Sequence, residues 1–463
     1  MDEKGYIMLL NEKGETIEMT KNYQIPPGAF DYIIYAEGNV VKAKNGRSGR
    51  IEFKGKAGVD DAEVIQSAAD SLSEIGGTVF IKSGIYYIDQ PIQVKGHGIN
   101  ITGEGWGKVS QIPNRKNGTY LVKNFDGDLL VYQGTSEEKL EGFAIRDIAL
   151  LNQNEHTGRG IFIEHALNFE INRVMIWAMK GISLEIKDSG VHFIRNSRFV
   201  SQIPTGTDDY IVYENNSGDW QISGCDIGAS NDERANINAA IRVSPYTATG
   251  MICGNKIFNA NGLIIADGTV FVAGNVLNDP YSYAVSCWDN SVIVGNKIFE
   301  SNVGSYNSSG ILILVRGNNN VVVGNQIHDP NDLYGTAIKI ESGKVLNVVV
   351  GNVIKGTVNG IQDLGADTIV KYNSGYVTEN SGTATFSGDG TTTDFLVGDH
   401  GLVVTDPTRI IVKVTPISAD AIAASPCAGY VDPADPTKIR VKFASPPASG
   451  TNNVQIIWEA QVV

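Results

Sequence analysis

Asp279, Glu300 and Asp329 each stand four residues after the asparagine of a Gly-Asn pair. Asn259 and Gly356 hold the same position beside the flanking pairs. If the pairs mark successive coils of one solenoid, the three carboxylates share a register. Neighbours would then lie ~5 Å apart at the backbone and next-nearest ones ~10 Å apart. Those spacings bracket the two geometries of glycosidic cleavage, about 5–5.5 Å for retention and about 6.5–9.5 Å for inversion. Crowded carboxylates raise one another's pKa, which supplies a general acid beside a general base. The same set suits a divalent cation such as Ca²⁺, although no metal or cofactor is required. A plainer role competes with these, since Asp279-Pro280 and Asp329-Pro330 are ordinary turn openers.

Tyrosines follow the same column. Tyr281 and Tyr283 come after Asp279, Tyr306 after Glu300 and Tyr334 after Asp329. Aromatic faces on successive coils suit sugar rings, which offer apolar C–H faces and polar rims. Covering the bases of loops is the structural alternative. A second acidic group comes earlier in the chain. Asp208 and Asp209 lie in one polar stretch, and Asp232, Glu233 and Arg234 lie in the next. Stacked, they would bring carboxylates and a substrate-binding arginine into one wall. Glu155, His156 and Arg159 belong to a similar stretch before them. Solvated loop charge is the competing reading.

The elements that must position these residues are written in a repeat. MICGNKIF, VFVAGNVL, VIVGNKIF, VVVGNQIH and VVVGNVIK put Gly-Asn at 254–255, 274–275, 295–296, 324–325 and 351–352. A strand and turn repeated at 20 to 29 residues is the mark of a solenoid. Asparagine at a stacked turn bonds to the copies above and below it, so these asparagines are expected to be scaffold. A second series of apolar strands follows small or aromatic residues at Gly160, Gly181, Tyr210, Ala240, Gly262, Ala284, Gly310, Ala337 and Gly360. Extra residues fall between the two series, at 152–159, 201–209, 229–239, 301–309 and 330–336. Stacking would place all of them on one edge, as a wall or a groove.

Residues 60–75 are expected to form an amphipathic helix. Asp60 and Glu63 read as a capping box, Val64, Ile65, Ala68, Ala69, Leu72 and Ile75 share a face, and Gly76-Gly77 end it. Such a helix can plug the apolar end of the first coil. Its text, DDAEVIQSAA, followed by GGTVFIKSGIY and ITGEGWG, resembles the opening of the pectate-lyase-like superfamily. That resemblance implies a right-handed parallel β-helix of the kind found in phage tailspikes and many extracellular polysaccharide-active proteins. It does not choose among hydrolases, lyases, epimerases and non-catalytic binders. Polygalacturonase roles are not carried over, because Gly96-His97-Gly98 stands near the start and Asp208-Asp209 follows it. Pectate-lyase and alginate-epimerase signatures are not found.

The expected architecture is therefore all-β. A small β segment at 1–57 precedes a single-stranded right-handed parallel β-helix at 58–380 with its N-terminal capping helix. Alternating strands at 381–463 form a C-terminal β-sandwich. The 463 residues carry a formal net charge of −14, which disfavours nucleic acid as a partner. No run of 18 apolar residues is present, so no membrane insertion is expected. Cys225, Cys253, Cys287 and Cys427 form no CxxC pair and read as small hydrophobes. The function expected from this set is binding and glycosidic cleavage of an extracellular or cell-surface polysaccharide by paired carboxylates. The alternatives are a non-catalytic receptor-binding spike and a lyase or epimerase. The resemblance adds a homotrimer, at the virion surface or outside the cell.

Overall fold

The computed structural model describes residues 8–10, 16–18 and 30–462, apart from 108–116, 153–155, 202–209, 230–234, 246, 248, 301–305, 358 and 403–406. Apolar residues alternate inward along short strands, and the strands stack as a three-faced parallel β-helix. Two faces belong to one 25-stranded sheet, joined where the long strands Ala144–Asn152 and Ala166–Trp177 run through both. The third face is a separate 11-stranded sheet running from Ile92–Val94 to Asn359–Asp363. One coil shows the order: Gly250–Cys253 on the first face, Lys256–Phe258 on the second, Gly262–Ala266 on the third. Inward side chains form one continuous core from Tyr32 to Tyr376.

The turn between the first and second faces explains the Gly-Asn repeat. Its five glycines have φ between +62° and +67°, a conformation in which a Cβ is unfavourable. Each following asparagine points inward, and the five are at most 2% exposed. The backbone N–H of Asn275 donates to the side-chain oxygen of Asn296 at 2.9 Å, and its amide N–H₂ donates to the same oxygen at 2.9 Å. The amide also donates to the carbonyl of Ile252 at 2.8 Å in the preceding coil. The pattern repeats from Asn255 through Asn352 and reaches Asn373, which follows no glycine. Cys225 is the rung before the ladder and donates its N–H to Asn255. All four cysteines are free, and burial pushes the Cys225 and Cys287 thiols up to about 12.

The second series of strands is correct in existence and partly wrong in register. Ala240 and Ala284 occupy the small-residue position they were given, but Gly262 pairs with Tyr283, one residue early. Leu184, not Ile182, pairs with Ile161, so Gly181 lies in the preceding turn. Gly310 likewise precedes its strand, because Ile313 pairs with Val285. The corner loops vary in length, so a small residue near a strand start is an unreliable ruler.

The helix spans Asp61–Asp70 and buries Ala62, Val64, Ile65, Ala68 and Ala69 against the first coils. The capping box does not form. Asp60 accepts from the Lys56 N–H, four residues back, at 2.6 Å. Asp61 is buried instead, and accepts from Gly58 N–H at 3.0 Å and Tyr87 N–H at 2.8 Å, which ties the helix to the first coil. The chain leaves the helix before Ile75, which is exposed. Before it, Tyr32–Glu37, Val40–Asn45 and Ile51–Lys56 form an antiparallel meander whose first strand pairs with Gly77–Ile81 and continues the helix sheet. At the other end, two three-stranded antiparallel sheets pack as a sandwich on Val441, Phe443, Val454 and Ile456. It also contains a short helix, Ala419–Ala423, capped by the Ser418 hydroxyl, where only strands and turns were expected.

Asn296→Ala removes the shared acceptor of Asn275 and two donations of its own. Leaving buried polar groups unpaired costs ~1–3 kcal/mol each. The variant should lose about 3 kcal/mol of stability, read as a lowered midpoint in denaturant unfolding.

Candidate functional site

The five insertions expected from the sequence all depart between the second and third faces. Asn152, Ser201, Ala229, Phe299 and Asp329 end second-face strands, and Ile161, Tyr210, Ala239, Ile311 and Thr336 open third-face ones. These connections therefore follow one edge of the third face, while the longest connection of the helix, 103–118, joins the first face to the second. Asp208, Asp209, Asp232, Glu233 and Arg234 belong to those insertions and lie outside the described residues, as does Glu155.

The predicted acidic column stacks as its spacing implied. Asn278 pairs with Phe299 and Phe299 with His328, so Asp279, Glu300 and Asp329 follow one another in register. Their setting differs from an open groove. Asp279 is 5%, Glu300 4% and Asp329 0% exposed. Tyr334 is fully buried and organises the corner. Its hydroxyl donates to Glu300 Oε2 at 2.7 Å and also contacts the Pro280 carbonyl, while its N–H donates to Asp329 Oδ2 at 2.8 Å. Asp279 has φ +53° and contacts the Asn278 amide. The sequence reading of Tyr334 as a sugar platform is corrected by this burial, and the three carboxylates are enclosed loop supports in this structure. Tyr281 and Tyr283 are half-buried, and Tyr306 is exposed, its ring 6.5 Å from that of Tyr334.

The outward surface of the third face carries what the spacing argument missed. Phe162, Glu185, Tyr213, Arg242, Ile265, Ser286, Leu314 and Lys339 pair rung to rung in one row directed away from the core. Tyr213, Arg242, Ile265 and Lys339 are half-buried, whereas Phe162, Glu185, Ser286 and Leu314 are covered and at most 8% exposed. Neighbours on such a row are ~4.8 Å apart. Arg159 anchors its upstream end. The guanidinium lies 3.4 Å over the Phe162 ring and donates to Asp128 at 2.9 and 2.6 Å and to Glu185 at 2.6 Å. The other Glu185 oxygen accepts from Asn215 at 3.2 Å. Burial pulls Asp128 upward, but the hydrogen bonds and charge of Arg159 outweigh it and hold the carboxyl below its usual range. Nearby, burial pulls the Lys123 ammonium down to about 8, and its Nζ contacts the Thr157 carbonyl.

Further along, Asp267 is shared by two arginines, contacting Arg242 and accepting from Arg316 at 2.6 Å. Trp288 is 40% exposed, with Lys344 5.0 Å and Arg316 5.7 Å from its ring. Tyr213 packs 5.1 Å from Tyr210. Burial raises the Tyr213 phenol, and Tyr210, Glu185 and Asp267 push the same way. The strip thus holds aromatic faces and carboxylates bound to fixed guanidinium groups, a surface that can stack on and hydrogen-bond a long polar ligand. One signal pointed here. Alternation along the third-face strands identifies the outward residues, Tyr213 in IVY and Arg242 in IRV, beside the inward Val212 and Ile241.

Glu164, His165 and Asp188 form the one group of three potential metal ligands within 4.8 Å among the described residues. Lys187 donates to one oxygen of Glu164 at 2.5 Å and Gln133 donates to the other at 2.7 Å, so both carboxylate oxygens are engaged without a metal.

No family model matches the chain, and no curated protein matches it. Solved structures do. ORF18 of Geobacillus virus E2 matches with a TM-score of 0.55 over 90% of this chain and 85% of that one, at 12% identity. A DFA-IIIase from Arthrobacter chlorophenolicus A6, in complex with GF2, matches with a TM-score of 0.52 over 69% of this chain and 95% of that one, also at 12% identity. A mutant of that enzyme in complex with DFA-III gives 0.50 over 69% and 84%, again at 12%. These likenesses agree with the parallel β-helix described above.

Arg159→Met leaves Asp128 and Glu185 without their shared counter-ion. Removing one partner of a partly buried network should cost about 2 kcal/mol at neutral pH. Because the folded pKa of Asp128 lies below its unfolded value, its stabilisation is full above about pH 4. It is lost as pH falls through the folded value. The gap between wild type and variant should therefore close on acidification, in denaturant midpoints compared at pH 7 and pH 3.

Proposed function

We propose that this protein binds an extracellular or cell-surface polysaccharide lengthwise along the outward strip of the third face, against the wall of corner loops. The observation that carries the reading is the row from Phe162 to Lys339, with its arginines and carboxylates pinned in place by Asp128, Arg159, Asp267 and Arg316. Pre-positioned polar groups beside aromatic faces lower the ordering cost of binding a flexible glycan. The fold likeness to an enzyme solved in complex with GF2 and with DFA-III supports a carbohydrate ligand. The likeness to a virus protein supports a place on a virion surface or outside the cell, where a homotrimer is the expected assembly.

Acid–base cleavage of the glycosidic bond is the catalytic form of this reading. It needs a protonated carboxyl group beside an ionised one. On the strip, Asp128 is held ionised by Arg159, Asp267 is shared by two arginines and both oxygens of Glu185 are engaged. The column of Asp279, Glu300 and Asp329 is enclosed. Cleavage by hydrolysis is therefore assigned to the loop carboxylates Asp208, Asp209, Asp232 and Glu233, with Arg234 holding substrate. This engagement of the strip carboxylates specifically favours the second reading, a non-catalytic receptor-binding spike. Tyr213, its phenol raised by burial, is poorly suited to act as the base of a lyase or epimerase at neutral pH.

Affinity electrophoresis on a panel of polysaccharides tests the reading. Tyr213→Ala and Arg242→Ala should each weaken retention about tenfold, the size expected when one central contact worth about 1.4 kcal/mol is lost. New reducing ends that vanish in Asp208→Asn, Asp209→Asn, Asp232→Asn or Glu233→Gln, with retention unchanged, support hydrolysis. Unsaturated ends would point to a lyase. Retention unaffected by the strip variants would overturn the binding surface.

A further inference from the structure

The outward surface of the first face is apolar where a solvent-facing sheet would be polar. Its strands Val270–Ala273, Val292–Val294, Val321–Val323 and Val348–Val350 read VFVA, VIV, VVV and VVV. In the last three the middle residue is buried in the core, and the residues on either side of it point away. Phe271 and Ala273 stand the same way around the buried Val272. A parallel strand that is wet on one side alternates, whereas one that reads apolar throughout is covered on both sides. Register extends the two outward rows in both directions. Met251 with Cys253, Gln221 with Ser223 and Phe193 with Arg195 come before, and Ile369 with Lys371 comes after. All of these positions keep part of their surface open, and Phe193, Met251 and Ile369 are 37%, 39% and 49% exposed. The described part of the chain therefore leaves the face uncovered.

Charge and size indicate what covers it. The protein carries a formal net charge of −14, yet neither row contains a carboxylate. Arg195 and Lys371, one at each end, are the only charges in them. The other two faces turn charge outward, with Lys256 and Lys297 on the second and Arg242 and Lys339 on the third. Copies of an acidic chain repel one another, and a surface free of carboxylates is where they can approach. Eight rungs at ~4.8 Å, each about four residues wide at ~3.3 Å, make a strip of ~500 Å². Two such strips bury ~1,000 Å² in all, the size at which a specific interface begins. The occupant must also be straight and ridged at ~4.8 Å over that whole length, and a second solenoid of the same pitch meets both requirements.

We propose that the outward first face, from Phe193 to Ile369, is the surface on which copies of this chain pack against one another with their solenoid axes side by side. The inference names the contact surface of the assembly proposed above and rests on that assembly, not on the glycan reading. Identical chains meeting through such a face close around a common axis. The apolar strips then lie at the centre of the assembly, and the third face with its row of rings and arginines stays on the outside. Cys253 sits within the strip as a free, half-buried thiol and reports directly on whether the face is covered.

Light scattering and thiol alkylation of the full chain test the surface. The wild type should run as a multiple of the chain mass. The double variant Val294→Lys, Val323→Lys should weaken assembly by about a hundredfold or more, because each lysine sets a charge against an apolar face. Gln326→Lys, at an exposed position on the second face, should leave the mass unchanged. Alkylation of Cys253 by iodoacetamide should be about tenfold or more slower in the assembled wild type than in the dissociated variant, while Cys427 in the sandwich reacts alike in both. Should the double variant not fold, diluting the wild type until it dissociates should speed Cys253 alone. A single-chain mass for the wild type, with Cys253 open or shielded, would overturn this inference together with the expected homotrimer. An assembly that withstands the two lysines, or that Gln326→Lys breaks equally, would overturn the inference alone.

Discussion

Everything in this molecule depends on coils being stacked in register, and the buried asparagine ladder is where that register is enforced. A tight turn between two strands leaves backbone N–H and C=O groups pointing into the core. Each ladder asparagine meets those groups of the preceding coil with one planar amide, accepting from the N–H of the asparagine before it and donating to a carbonyl of that coil, and donates to the asparagine of the next. A slip of one residue would break the bonds of two adjacent coils together and turn apolar side chains outward. The ladder therefore fixes more than the turn. It sets which residues line up on all three faces, including the outward row that forms the candidate site.

The ladder, the edge carrying the insertions and the acidic column could be read from the sequence because each recurs at a countable distance from Gly-Asn. What could not be read was the direction and depth of the side chains at the corner. Asp279, Glu300 and Asp329 do share a register, yet Tyr334 closes over them from five residues beyond Asp329. The length of a corner loop says nothing about whether it folds back on its own base. Similar freedom moved the third-face strands one or two residues from their expected starts at Gly181, Gly262 and Gly310. The strip itself is built by pairs such as Asp128 with Arg159, 31 residues apart, and Asp267 with Arg316, 49 residues apart. No local pattern links such partners; only stacking does.

This division of labour has a chemical consequence. Carboxylates at the corner are removed from solvent and hold loops, whereas those on the third face are bound by arginines. The described part of the site is thus arranged for recognition: charges fixed, rings presented, and few groups free to exchange a proton. The cleavage chemistry proposed above is assigned to the corner insertions that carry Asp208, Asp209, Asp232 and Glu233. A rigid scaffold with variable loops along one edge is how solenoids in general separate stability from specificity.

The central claim is that the ligand lies on the outward strip of the third face. Co-crystallisation with an oligosaccharide released from a retained polysaccharide tests it most directly. The account predicts sugar rings within contact distance of Tyr213, Arg242 and Trp288, running across successive coils. Sugar seated instead on the outward surface of the Gly-Asn face, or only on the C-terminal sandwich, would contradict it.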